Sequence, residues 1–65
     1  DIVERKVKDK VSFWYYKNEI LLAVDSFNDP ISYMIGKRLI EEKKSPKKEM
    51  LRDINFDIKD ALNLK

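Results

Sequence analysis

Hydrophobic and polar positions divide the chain into two halves with different periods. Val11-Ser12-Phe13-Trp14-Tyr15-Tyr16 is β-branched and aromatic, holds no Gly or Pro, and predicts a strand. Ile20-Leu21-Leu22-Ala23-Val24 is a second apolar run of strand length. Lys17-Asn18-Glu19 breaks the two runs, and Asn tolerates positive φ, so the segment predicts a hairpin over about 10–16 and 20–26. With Asn18 and Glu19 at the centre of the turn, Lys17 pairs with Ile20, Tyr16 with Leu21 and Tyr15 with Leu22. Trp14 then faces Ala23, and Phe13 faces Val24. A left-handed residue is expected at Asn18. Glu19 carries a Cβ, and forcing it over as well costs about 1 kcal/mol.

Ile2-Val3-Glu4-Arg5-Lys6-Val7 fits a further strand whose charges blunt a sheet edge, although Val3, Val7 and Val11 also sit at helical spacing. Alternation sorts the hairpin into two faces. Val11, Phe13, Tyr15, Leu22 and Val24 form the more apolar one and are the expected core. Ser12, Trp14, Tyr16, Leu21 and Ala23 form the other. That second face is not polar, so Trp14, Tyr16 and Leu21 are expected at an interface, covered by more chain or by another molecule.

The second half reads as helices. Asn28-Asp29-Pro30 combines two capping side chains with a Pro suited to the first helical position, which makes these three residues the turn and cap of a helix over about 30–43. Ile31, Met34, Ile35, Arg38 and Leu39 follow at helical spacing. Gly36 interrupts them at a cost of about 1 kcal/mol relative to Ala, a position suited to close approach of helix and sheet. Ser45-Pro46 opens a second helix over about 46–54, and Asp57 starts a short turn over about 57–62. The fold class is therefore α+β, a small antiparallel sheet packed against helices. The 65 residues make a single domain.

Composition narrows the chemistry. The chain has no Cys and no His, which removes disulfides, thiol chemistry and the commonest general base and metal ligand. Its single Gly cannot build a phosphate-cradling loop or a dinucleotide fingerprint. No apolar run approaches the ~18 residues of a membrane span, so the chain reads as soluble. Fourteen Lys and Arg against twelve Asp and Glu leave a charge of +2, too balanced for a strong nucleic-acid footprint. Lys43, Lys44, Lys47 and Lys48 do cluster around Ser45-Pro46, either as a solvated loop or as an anion-binding patch. Asp25 with Asp29, and Asp53 with Asp57 and Asp60, suit turns and caps better than metal or acid–base sites. Phe13 to Tyr16 lack the interleaved basic residues of a base-stacking platform and suit packing better. A domain this short buries only about 60% of its unfolded surface, so it is marginal without a neighbour.

The order of the pieces carries a resemblance. Ser12-Phe13-Trp14-Tyr15-Tyr16 leads through a polar turn into Leu21-Leu22-Ala23-Val24-Asp25-Ser26. Phe27-Asn28-Asp29-Pro30 and Tyr33-Met34-Ile35-Gly36-Lys37-Arg38-Leu39-Ile40 follow, then Met50-Leu51-Arg52-Asp53 and Asp57-Ile58-Lys59. This succession resembles the C-terminal domain of FAD-dependent, NADH-using ferredoxin and rubredoxin reductases of the pyridine nucleotide-disulfide oxidoreductase superfamily. It covers about residues 10 to 62, and more loosely 1 to 9. Glu19 stands where that family usually has Gly, and Ile58 where Leu is usual. The Trp-Ser-Asp-like strand that opens the family domain is lacking, so Trp14 does not inherit its role beside the flavin.

The resemblance implies a truncated accessory domain of a cytoplasmic flavoprotein. Its partners are then the FAD and NADH domains of the parent and an electron-carrier protein, with self-association in some relatives. FAD and NAD(P)H belong to the parent; this fragment is expected to bind no cofactor and to be no enzyme alone. Two other classes stay open: a free-standing protein-interaction module, and a nucleic-acid binder through Lys43, Lys44, Lys47 and Lys48.

Overall fold

A computed structural model describes residues 1–63. Three strands, β1 (Ile2–Val7), β2 (Lys10–Lys17) and β3 (Ile20–Phe27), precede two helices, α1 (Pro30–Glu41) and α2 (Lys48–Arg52), and a closing 3-10 turn, Ile58–Asn63. The strands form one antiparallel sheet in the order β1-β2-β3. The α+β class, the third strand and the order of helices are those the sequence predicts. α2 is four residues shorter than the expected 46–54, about one turn, because Pro46 stays outside the helix and Asp53 adopts an extended conformation.

Two-residue loops join the strands, and both use left-handed backbone. Lys8 has φ 59° in the first, while Asn18 and Glu19 have φ 51° and 70° in the second. Positive φ at both central residues is the type I′ geometry, whose twist matches that of the strands. Glu19 is therefore forced over along with Asn18, and its carboxylate Oε1 accepts from Lys48 Nζ at 3.1 Å.

The turn holds the expected pairs Lys17 with Ile20 and Tyr16 with Leu21. Beyond them the register departs from the sequence reading. Tyr15 pairs with Ala23, Trp14 with Val24 and Phe13 with Asp25, so Leu22 is an extra residue in a β-bulge. The bulge brings Leu21 and Val24 to the same side of the sheet as Trp14 and Tyr16.

That side is the core, which reverses the expected faces. Trp14, Tyr16, Leu21 and Val24 are buried with Val3, Ile35, Leu39, Leu51 and Ala61. Val11, Phe13 and Tyr15, expected inside, are only partly covered, and Leu22 is exposed. Polar groups account for the reversal. The buried Trp14 indole donates Nε1–H to Ser12 Oγ at 2.9 Å, and Tyr16 donates its hydroxyl to the Pro46 carbonyl at 2.6 Å. Ser12, which made this face look less apolar in sequence, is the acceptor that allows Trp14 to be buried.

α1 lies across β3. A Cβ on Gly36 would fall 2.5 to 2.9 Å from the Val24 side chain, so the helix and strand meet where only Gly fits. Asp29 caps this helix: its Oδ1 accepts from Ser32 N at 3.1 Å and its Oδ2 from Ser32 Oγ at 2.5 Å. Asn28 takes the left-handed turn ahead of the cap, with φ 58°, and Pro30 occupies the first turn.

Candidate functional site

The covered side of the sheet holds a polar frame. Arg5 alternates with Val3 and so points inward, where it is buried. Its Nη1 donates to the carbonyls of Leu51 at 3.0 Å and Asp53 at 2.7 Å, and its Nη2 donates to the carbonyl of Phe56. These carbonyls lie at the C-terminal end of α2 and in the turn after it, where backbone acceptors lose their helical donors. One guanidinium thus ties β1 to the end of the second helix. Among the described residues, every buried side-chain N or O has a partner.

Ser45 Oγ accepts from the backbone N–H of Leu21 at 2.9 Å, pinning the loop before α2 to β3. Lys48 stands at the same end of the sheet. It donates to Asp1 Oδ2 at 2.7 Å and to Glu19, and its Nζ lies 5.6 Å from the Tyr16 ring centroid. Burial, and secondarily the Glu19 charge, pushes the Tyr16 phenol up to about 12. A neutral Tyr16 is therefore a fixed hydrogen-bond donor, not an acid or base near neutral pH.

The basic cluster of the sequence is dispersed by these contacts. Lys44 pairs with Glu42 at 3.2 Å and donates to the Leu62 carbonyl, and Lys48 holds two carboxylates. Lys43 and Lys47 remain exposed on the loop. The acidic candidates likewise serve the backbone. Asp25 Oδ1 accepts from Ser26 N, Asp53 Oδ1 from Asn55 N and Asp57 Oδ1 from Lys59 N. No group of three or more acidic side chains suited to a metal ion occurs among the described residues.

The remaining surface with a pattern of its own is the outer side of the sheet. Residues directly paired across strands share a face, which sets the rows. Tyr15 lies between Ile2 and Ala23, Phe13 between Glu4 and Asp25, and Val11 between Lys6 and Phe27. An aromatic and aliphatic stripe thus runs down the central strand. Ile2 and Phe27, at opposite corners, are 61% and 66% exposed. The helices pack on the other side, as the carbonyls bonded by Arg5 and Tyr16 and the contact of Gly36 with Val24 require.

The residues expected at an interface, Trp14, Tyr16 and Leu21, are thus inside the chain's own core. The opposite face, with Val11, Phe13 and Tyr15, carries no helix. Arg5 was not singled out in sequence. Its only signal was the alternation Val3-x-Arg5-x-Val7, which places a cation between two inward positions.

The family model described as Reductase C-terminal matches residues 1–62. The chain belongs to the reductase C-terminal family. No curated protein and no solved structure matches it. A reductase C-terminal domain implies a multidomain parent reductase. Neither the glycine nor the start of α1 in this reductase C-terminal domain offers an open phosphate cradle. Its one Gly is packed against Val24, and the first amides of α1 are occupied by the Asp29 carboxylate or replaced by Pro30. An anion at that helix start would meet a carboxylate. No helix among the described residues is long and apolar enough to cross a membrane.

Proposed function

We propose that this chain is the accessory domain of a cytoplasmic NADH-dependent flavoprotein reductase, which passes electrons through FAD to a ferredoxin- or rubredoxin-like carrier. The domain is non-catalytic. Membership of the reductase C-terminal family over residues 1–62 carries the reading. The order of motifs from Ser12-Phe13-Trp14-Tyr15-Tyr16 to Asp57-Ile58-Lys59 supports the ferredoxin and rubredoxin branch. The chemistry, hydride transfer to the flavin and single-electron delivery to the carrier, belongs to the cofactor and the domains that hold it. This domain's own residues supply a rigid sheet with one face left for contact. The partners are the FAD and NADH domains of the parent and the electron carrier.

The polypeptide carrying these residues should retain flavin and reduce a ferredoxin or rubredoxin with NADH. The 65-residue chain alone should do neither. A flavin-free parent polypeptide refutes the reductase reading, and stoichiometric FAD retention by the 65-residue chain refutes the non-catalytic role.

A further inference from the structure

We propose that this domain binds a free aliphatic carboxylate in a cleft between the start of β3, the end of α1 and the loop that follows α1. The cleft holds about 400 Å³, within the range of small-molecule sites. β3 lines it with Ile20, Leu21 and Leu22, α1 with Ile40, and the loop with Lys43 and Ser45. Three departures from ordinary structure meet there. Ile20 and Leu22 are large apolar side chains left in solvent. Leu22 is also the extra residue of the bulge, a device that re-aims a side chain. Lys43 takes φ 57° just past α1, where the Lys44 N–H donates to the Leu39 carbonyl at 2.9 Å and closes the helix end. Glycine is the usual residue at that position, and a Cβ there is strained. Each of the three works against folding stability, and such exceptions collect at functional sites.

The lining sets the ligand's chemistry. The aliphatic side chains of β3 and α1 suit a hydrocarbon tail. Lys43 has no carboxylate partner among the described residues. Ser45 Oγ already accepts from the Leu21 N–H at 2.9 Å, which leaves its own proton to donate. The loop wall thus offers two donors, one of them charged, and no acidic side chain lines the cleft. The complement is an anionic acceptor, and a carboxylate has an oxygen for each donor. Glu41 borders only the adjoining cleft, where Lys37, one helical turn before it, offsets its charge.

Equilibrium dialysis of the parent polypeptide against labelled octanoate tests the site. Octanoate should be retained with a submillimolar Kd. Octanol, which has the same tail without the charge, should bind about tenfold or more weaker. Lys43→Gly separates binding from folding: it relieves the left-handed Lys, so Tm should rise by a few degrees, while octanoate affinity falls about tenfold. Lys43→Arg keeps the charge and should keep most of the affinity. Leu22→Glu, at an exposed position, should abolish retention by setting a carboxylate among the aliphatic walls. No retained octanoate in the parent overturns the site. Retention unchanged in both Lys43→Gly and Leu22→Glu places the ligand elsewhere and overturns it equally. Octanol retained as well as octanoate overturns the carboxylate. A peptide ending in a free leucine carboxylate that displaces labelled octanoate more effectively than unlabelled octanoate does assigns the cleft to a protein tail, and overturns the free acid.

Discussion

Replacing Arg5 tests whether one buried cation holds the helical half on the sheet. Its guanidinium makes three hydrogen bonds to carbonyls of Leu51, Asp53 and Phe56, and no carboxylate pairs with it among the described residues. In Arg5→Ala all three acceptors lose a charged donor. Hydrogen bonds to charged groups contribute about 1.5–3 kcal/mol each, but the bonds to Asp53 and Phe56 are only part-buried, so water replaces much of them. Counting the Leu51 bond nearly in full and the others at a fraction gives about 3–4 kcal/mol. Whole-domain stability at this length is about 3–10 kcal/mol, so the variant should sit at or near unfolding.

Trp14, the single tryptophan and fully buried, makes its fluorescence a direct probe for urea and thermal unfolding. At roughly 4–8 °C per kcal/mol for a small domain, Tm should fall by about 15–30 °C. Arg5→Met keeps the methylenes but not the donors and should recover little of that loss. Arg5→Lys keeps the charge but not the fork, and should fall between. If Arg5→Ala stays within about 1 kcal/mol of the parent, the carbonyls are served by water and the clamp does not organise the fold.

Asp29→Ala should lower stability by about 1 kcal/mol and Asn28→Ala by less, because the cap bonds belong to Asp29; equal urea midpoints for both variants would contradict the capping geometry. Gly36→Ala gains up to ~1 kcal/mol of helix propensity but drives a Cβ into Val24, and should be net destabilising by about 1–2 kcal/mol, with Val24→Ala in the same chain relieving it. The Tyr16 phenol lies above its ordinary value of 10.0, at about 12, so its neutral form is favoured on folding. That contribution is complete below pH 10 and is lost as pH rises towards 12; Tyr16→Phe should flatten this part of the stability–pH curve, and an unchanged slope would count against it.

Much of the architecture was legible because local signals agreed with one another. The hairpin turn follows from Asn18 between two apolar runs, the start of α1 from Asp29-Pro30, and the helix–strand contact from Gly36 in an otherwise strong helical pattern. Each of these depends on a few neighbouring residues. What the sequence could not supply depends on distant ones. The carbonyls that receive Arg5 come from residues 46 to 51 positions away, and the loop oxygen that receives Tyr16 lies 30 positions on. A strand position facing such acceptors looks the same in sequence as one facing water.

The reversed faces show how a single residue propagates. Strict alternation from the turn assigns Leu21 and Val24 to opposite sides, so either choice of core wastes one of them. The bulge at Leu22 removes that conflict by setting both inward beside Trp14 and Tyr16, and it leaves Leu22 itself in solvent. Once Val24 faces inward, Gly36 can approach it, and α1 settles over the Trp14 side. The opposite side then keeps Phe13 and Tyr15 without a helix to cover them, with Glu4 and Asp25 beside Phe13. The same bulge that completes the core therefore determines which surface is left without a helix over it. Deleting Leu22 should therefore leave the core intact, because Leu21, Ala23 and Val24 then alternate strictly with Leu21 and Val24 still inward; a solvent-exposed Trp14 emission from that variant would refute the bulge as the origin of the core register.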